Sequence, residues 1–107
     1  MLMPLFGAEI ASRFDLSAEV LLITYENQDI LEEKEIMMSR PSAEDLCQPI
    51  LIDKVDIVIC GAIEDDFFHY LTWKNIQVID SVIGNRQTII NCFLSGELKP
   101  GTIISTK

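Results

Sequence analysis

The chain has few of the residues that staple, ligate metals or grip phosphates. Its three cysteines, Cys47, Cys60 and Cys92, form no CxxC pair. An odd number at wide spacing argues against a secreted disulfide framework and fits a reducing cytoplasm. Histidine occurs once, as His69, so no second imidazole exists to complete a His pair. Basic residues number 8 against 17 acidic ones, for a formal charge of −9, and they form no stripe. Nucleic-acid binding draws its affinity from Lys and Arg laid against phosphates, so neither nucleic acid nor an anionic membrane is an expected partner. No uncharged apolar run approaches the ~20 residues needed to span a bilayer. The apolar start "MLMPLFGAEI" lacks a basic leader and a small-residue cleavage site. The expectation is an acidic, soluble, cytoplasmic protein.

Apolar residues, by contrast, are plentiful: 49% of 107 residues, with only 5 Gly and 4 Pro. That rules out disorder by composition, and the length suits one domain. "MLMPL" reads as a short strand ended by Pro4 and Gly7, and "FGAEIASRFDLS" as a loop. "AEVLLITYE" and "DILEEKEIM" flank the turn-prone Asn27-Gln28 and read as a β-hairpin. Val20 to Ile23 are apolar on both faces, which predicts a central strand. Glu32, Glu33, Lys34 and Glu35 mark its partner as an edge strand.

Ser42 followed by Asp45 resembles a capping box, so a first helix is expected over "RPSAEDLCQPILID", bent at Pro49 or split there into two short pieces. "KVDIVIC" has the length and β-branched content of a buried parallel strand. "EDDFFHYLTW" then reads as a helix, "IQVI" as a short buried strand, and "NRQTIINCFLSG" as a last helix stopped by Gly96. The expected fold is α/β: one domain over residues 1–98, a mixed five-stranded sheet and three helices. Its N-terminal strand and hairpin lie on one side and its βαβ units on the other. A short tail, 99–107, has no evident partner.

In open sheets of this kind ligands collect at the carboxyl ends of the strands. Three glycine turns fall there: Leu5-Phe6-Gly7, Cys60-Gly61-Ala62 and Val82-Ile83-Gly84. The expected site therefore comprises Gly7, Arg13, Phe14, Cys60, Gly61, Ala62 and Gly84. Cys60 has two readings, a small buried side chain or a thiolate metal ligand at a strand end. Arg13 either holds an anionic group or pairs with Asp15 and only fixes its loop. Cys47 and Cys92 read as packing residues on helices. Glu64, Asp65 and Asp66 read as acids complementing a helix dipole. Three Cys and one His match no zinc spacing.

Three stretches, "GAEIASRFDLSAEVLLI", "VDIVICGAI" and "VIGNRQTIINCFLSGEL", resemble in order and spacing the dinitrogenase iron–molybdenum cofactor biosynthesis family. The resemblance extends over about Met1 to Leu98. It implies an RNase H-like fold and a non-catalytic carrier of an iron–sulfur or iron–molybdenum type cluster, or of an anion, with a cluster donor or acceptor protein as partner. Arg13 and Asp15 stand where the family often has His and Gly, and its His- and Gly-rich stretch is missing from "MMSRPSAED". An interaction or regulatory module that has lost cluster binding is the alternative. A nuclease would need carboxylates on the central strands to hold two metals, and "MLMPL" and "VLLI" have none. No enzymatic activity is expected, and the chain is expected to be a monomer or a weak homo-oligomer.

Overall fold

The computed structural model describes residues 1–38, 45–46, 50 and 54–104. The hairpin forms as its sequence predicts: β3 (Glu19–Glu26) and β4 (Asp29–Met37) pair antiparallel across Asn27-Gln28. Asn27 takes a φ of 58°, the left-handed turn geometry that Asn tolerates. β4 is the outer strand and is exposed along most of its length. β3 lies between it and β1 (Leu2–Phe6), whose first four residues are buried.

On its other side β1 changes partner along its length. Near Leu2 it pairs in parallel with β5 (Ile57–Ile59). Near Leu5 and Phe6 it pairs antiparallel with a two-residue strand, β2 (Glu9–Ile10). Pro4 sits at the changeover, its carbonyl accepting from the Ala11 N–H at 3.0 Å. A proline there breaks no bond between β1 and β3, so it does not end the strand as its sequence suggests. β6 (Gln77–Ile79) runs parallel to β5 and completes the order β4-β3-β1-β5-β6. The sheet thus has six strands rather than the expected five, because β2 forms inside a segment that reads as a loop.

Among the described residues two α-helices with defined ends cover the sheet, α1 (Asp65–Trp73) and α2 (Arg86–Leu94). The expected first helix, with Ser42, Cys47 and Pro49, falls mostly outside the described residues. Leu46 and Ile50, which are described, have helical backbone and are buried. Asn85 caps α2, its Oδ1 accepting from the Gln87 and Thr88 N–H groups at 2.9 and 3.4 Å. Gly96 ends it with a φ of 79°, and the Glu97 N–H returns to the Cys92 carbonyl. Asn85→Ala should cost about 1 kcal/mol, read as a lower urea midpoint at unchanged slope.

Alternation along the strands divides the core into two layers. Met3, Leu5, Leu21, Ile23, Ile59 and Ile79 pack on one face with Ile89 and Ile90 of α2. Leu2, Val20, Val58 and Cys60 pack on the other with Leu46, Ile50 and Leu71 of α1. The tail is tied down: the Ile104 N–H donates to the Ile83 carbonyl and the Ile83 N–H to that of Thr102. The sequence expectation of an unpartnered segment from Lys99 therefore fails through Ile104. Main-chain pairing holds it, and side-chain pattern does not reveal such pairing. Among the described residues no helix is long and apolar enough to cross a membrane.

Candidate functional site

The three glycine loops do meet at the carboxyl ends of β1, β5 and β6. The Ser81 N–H donates to the Gly61 carbonyl at 2.9 Å and the Val82 N–H to that of Cys60 at 3.1 Å. Between them runs a strap formed by residues 8–14, in the gap that opens where β1 and β5 part. Along one side it bonds to the loop after β6: the Ile10 N–H donates to the Gly84 carbonyl, and the Arg86 N–H to that of Ala8. Along the other it bonds to the loop after β5: the Ala62 N–H donates to the Ser12 carbonyl, and the Phe14 N–H to that of Ala62. The space between the strand ends is filled by the protein's own main chain.

Each expected site residue finds its place in that arrangement. Gly61 is buried, and a Cβ there would lie 2.4 Å from the Ser12 carbonyl oxygen and 2.5 Å from that of Ala11. Its missing side chain is what lets the strap lie flat on the loop, so the group it admits is the chain itself. Ala62 is bonded to the strap on both its N–H and its carbonyl. Gly84 needs glycine twice over, with a φ of 148° and the Ile104 side chain 2.8 Å from where a Cβ would be. Gly7 makes the exposed turn between β1 and β2.

Arg13 forks onto Asp15, with Nε to Oδ1 at 3.0 Å and Nη2 to Oδ2 at 2.8 Å, and reaches within 3.8 Å of Glu64. Of its two readings the structure displays the loop-fixing pair; its donors are directed to carboxylates the chain already carries. Phe14 is 1% exposed and packs against Phe67 at a ring separation of 6.2 Å, so it faces the core. Ser17, also buried, donates its hydroxyl to the Leu5 carbonyl at 2.8 Å and anchors the far end of the strap.

Cys60 is fully buried in the core layer that holds Phe14, Val58 and Leu71. Desolvation, with a smaller contribution from the Asp80 carboxylate, pushes its thiol up from 9.0 to about 12. A metal-binding cysteine must give up its proton, and burial here works against that. The neutral thiol is what the fold stabilises. That contribution is complete below pH 9 and is lost as pH rises from there toward about 12. Alkaline urea titrations of the wild type should therefore show stability falling over that window, more steeply than in Cys60→Ala. Cys92 on α2 is half-buried and unpaired.

A cluster would need several such ligands, and the residues here do not fit one. Among the described residues no three His, Cys, Asp or Glu side chains gather closely enough to hold a metal ion. No buried side-chain nitrogen or oxygen among them lacks a hydrogen-bond partner, so nothing under the strap calls for a missing group. His69 is exposed on α1, edge-on to Phe68.

What the strand ends do present is apolar surface. Phe6 is 78% exposed and borders an open depression of about 460 Å³ shared with Glu9, Ile10, Ala11 and Ser12. Ile83 and Ile103, paired to each other, are also exposed. No sequence pattern marks Phe6 in advance, because it ends an otherwise buried strand.

The class these features define is one of fold: a single α/β domain with a mixed six-stranded sheet and a strap closing its strand ends. No protein-family model matches the chain, and no curated protein matches it. Solved structures do. The crystal structure of PH0822 superposes with a TM-score of 0.83 at 20% identity, over 92% of this chain and 91% of that one. A candidate dinitrogenase of Methanocaldococcus jannaschii, MJ0327, gives a TM-score of 0.76 at 19% identity, over 92% and 89%. A candidate NifB protein of Thermotoga, TM1290, described as a DUF35 family member, gives 0.72 at 16%, over 99% and 97%. The likeness shows a shared fold along nearly the full length of each chain.

Proposed function

We propose that this chain is a non-catalytic binding module of the dinitrogenase iron–molybdenum cofactor type that works by protein–protein contact rather than by ligating a cluster. The burial of Cys60 carries this reading, because the best candidate ligand is sealed in the core layer that holds Phe14 and Leu71. The RNase H-like assignment draws support from the strand order: leaving β2 aside, the strands run 3-2-1-4-5, with the second antiparallel to the rest. The apolar patch around Phe6 is the contact surface, and the resemblance suggests a metal-cluster donor or acceptor protein as its partner. The absence of carboxylates on β1 argues against two-metal hydrolysis.

The neighbours named for dinitrogenase and NifB favour a second reading, in which an iron–sulfur or iron–molybdenum type cluster is the cargo. Iron and sulfide analysis of anaerobically purified protein, wild type beside Cys60→Ala, separates the two. The interaction reading expects no stoichiometric iron or sulfide in either. It also expects a partner complex that survives Cys60→Ala and is lost in Phe6→Asp. A stoichiometric cluster that disappears in Cys60→Ala would overturn it.

A further inference from the structure

A second open cleft lies at the other end of the sheet, where β1 and β5 begin and β3 turns into β4. It encloses about 460 Å³, within the range of small-molecule sites. Leu22 and Val55 give it apolar wall, and Thr24, Tyr25, Glu32, Lys34, Lys54 and Asp56 line the rest. Polar surface outweighs apolar surface in this cleft, which suits a charged, hydroxylated ligand rather than an apolar one.

The charges are what make it unusual in this chain. Arg13 is paired with Asp15, Arg86 with Glu35, and Lys74 lies 4.8 Å from the Trp73 ring centre. Lys34, Lys54 and the distant Lys99 have no carboxylate within ion-pair distance among the described residues. In a protein of net charge −9, two such lysines open onto one cleft. Lys54 also holds a φ of 53°, a left-handed conformation that residues other than glycine seldom adopt. Strained backbone of this kind concentrates at ligand clamps.

The remaining groups set the ligand's chemistry. Glu32 and Asp56 are acceptors, and they would repel a ligand that was anionic throughout. The Met1 ammonium is already engaged, donating to the Ile23 carbonyl at 3.0 Å and lying 3.9 Å from Asp56. Burial, then the Asp56 carboxylate, push the Tyr25 hydroxyl up, so it remains a donor. The cleft thus offers ammonium and hydroxyl donors to an anionic group and carboxylates to neighbouring O–H donors.

We infer that this cleft binds a small phosphorylated polyol, with its phosphate on Lys34 and Lys54 and its hydroxyls on Glu32 and Asp56. The inference is independent of the contact surface at Phe6. Ribose 5-phosphate, titrated into the full chain and followed by amide NMR, tests it, with inorganic phosphate and ribose as separate arms. Saturable shifts are expected at Thr24, Tyr25, Lys34, Val55 and Asp56, with weaker binding of either half alone. Lys34→Gln should weaken ribose 5-phosphate about tenfold, as expected when one charge-assisted hydrogen bond is lost. Lys54→Gly should do the same while suiting the backbone, which separates lost binding from lost folding. Glu32→Gln should weaken ribose 5-phosphate and leave inorganic phosphate unaffected or tighter. Non-saturating shifts, equal affinity for inorganic phosphate in the wild type, or shifts indifferent to both lysine changes would each overturn the assignment.

Discussion

Phe14→Ala is expected to remove about 4 kcal/mol of stability, the range found when a buried aromatic is cut to a methyl group. The ring is 1% exposed, touches Phe67 of α1, and belongs to the same layer as Leu2, Val58 and Cys60. Its truncation empties space beneath the strap that neither the sheet nor the helix can close, and it removes the contact that turns the strap back into the core. Urea unfolding at neutral pH gives the number. Phe6→Ala is the control: that ring is 78% exposed, so its loss should change stability by no more than about 0.5 kcal/mol. If the two changes cost the same, the division of the two phenylalanines into core and contact surface is wrong.

Gly61→Ala is expected to cost about 3 kcal/mol through overpacking. The added methyl group would stand 2.4 Å and 2.5 Å from two main-chain oxygens, which cannot swing aside as a flexible side chain can. The strap would have to lift. Lifting it breaks the Ala62-to-Ser12 and Phe14-to-Ala62 hydrogen bonds, each worth about 1 kcal/mol. Amide hydrogen exchange should show the effect locally, with faster exchange at Ala62 and Phe14 and little change in α2. Gly7→Ala offers the contrast, since nothing lies within 4 Å of a Cβ there; any cost comes from its φ of 63° alone and should be about 1 kcal/mol.

Local signals were legible wherever one stretch of chain carries its own instruction. The two-residue turn at Asn27-Gln28 fixes the hairpin, because strands on either side need a left-handed residue between them. Asn85 and Gly96 bracket α2 because a helix leaves its end groups unsatisfied and those side chains and that backbone satisfy them. Alternation in "KVDIVIC" could not reveal which face each residue takes, yet its apolar length marked it as a buried parallel strand. The convergence of the three glycine loops followed from chain direction, since parallel strands put their carboxyl ends together.

The contents of that meeting place were not legible. "FGAEIASRFDLS" has no strand pattern, because beyond its short pairing with β1 it is held by main-chain atoms whose partners lie about 50 to 80 residues further on in sequence. Arg13 had two partners open to it, a ligand or Asp15, and only the tertiary structure shows its Nε and Nη2 on that one carboxylate. Cys60 likewise had two readings until it was seen fully buried in the layer packed under α1.

The sequence alone therefore settled the class of fold, the acidic character and the positions of the turns, since these depend on composition and on neighbours a few residues apart. The tertiary structure decided whether the strand ends stand open. They do not, because a glycine without a side chain lets residues 8–14 drop into the gap between β1 and β5, and backbone hydrogen bonding then closes it.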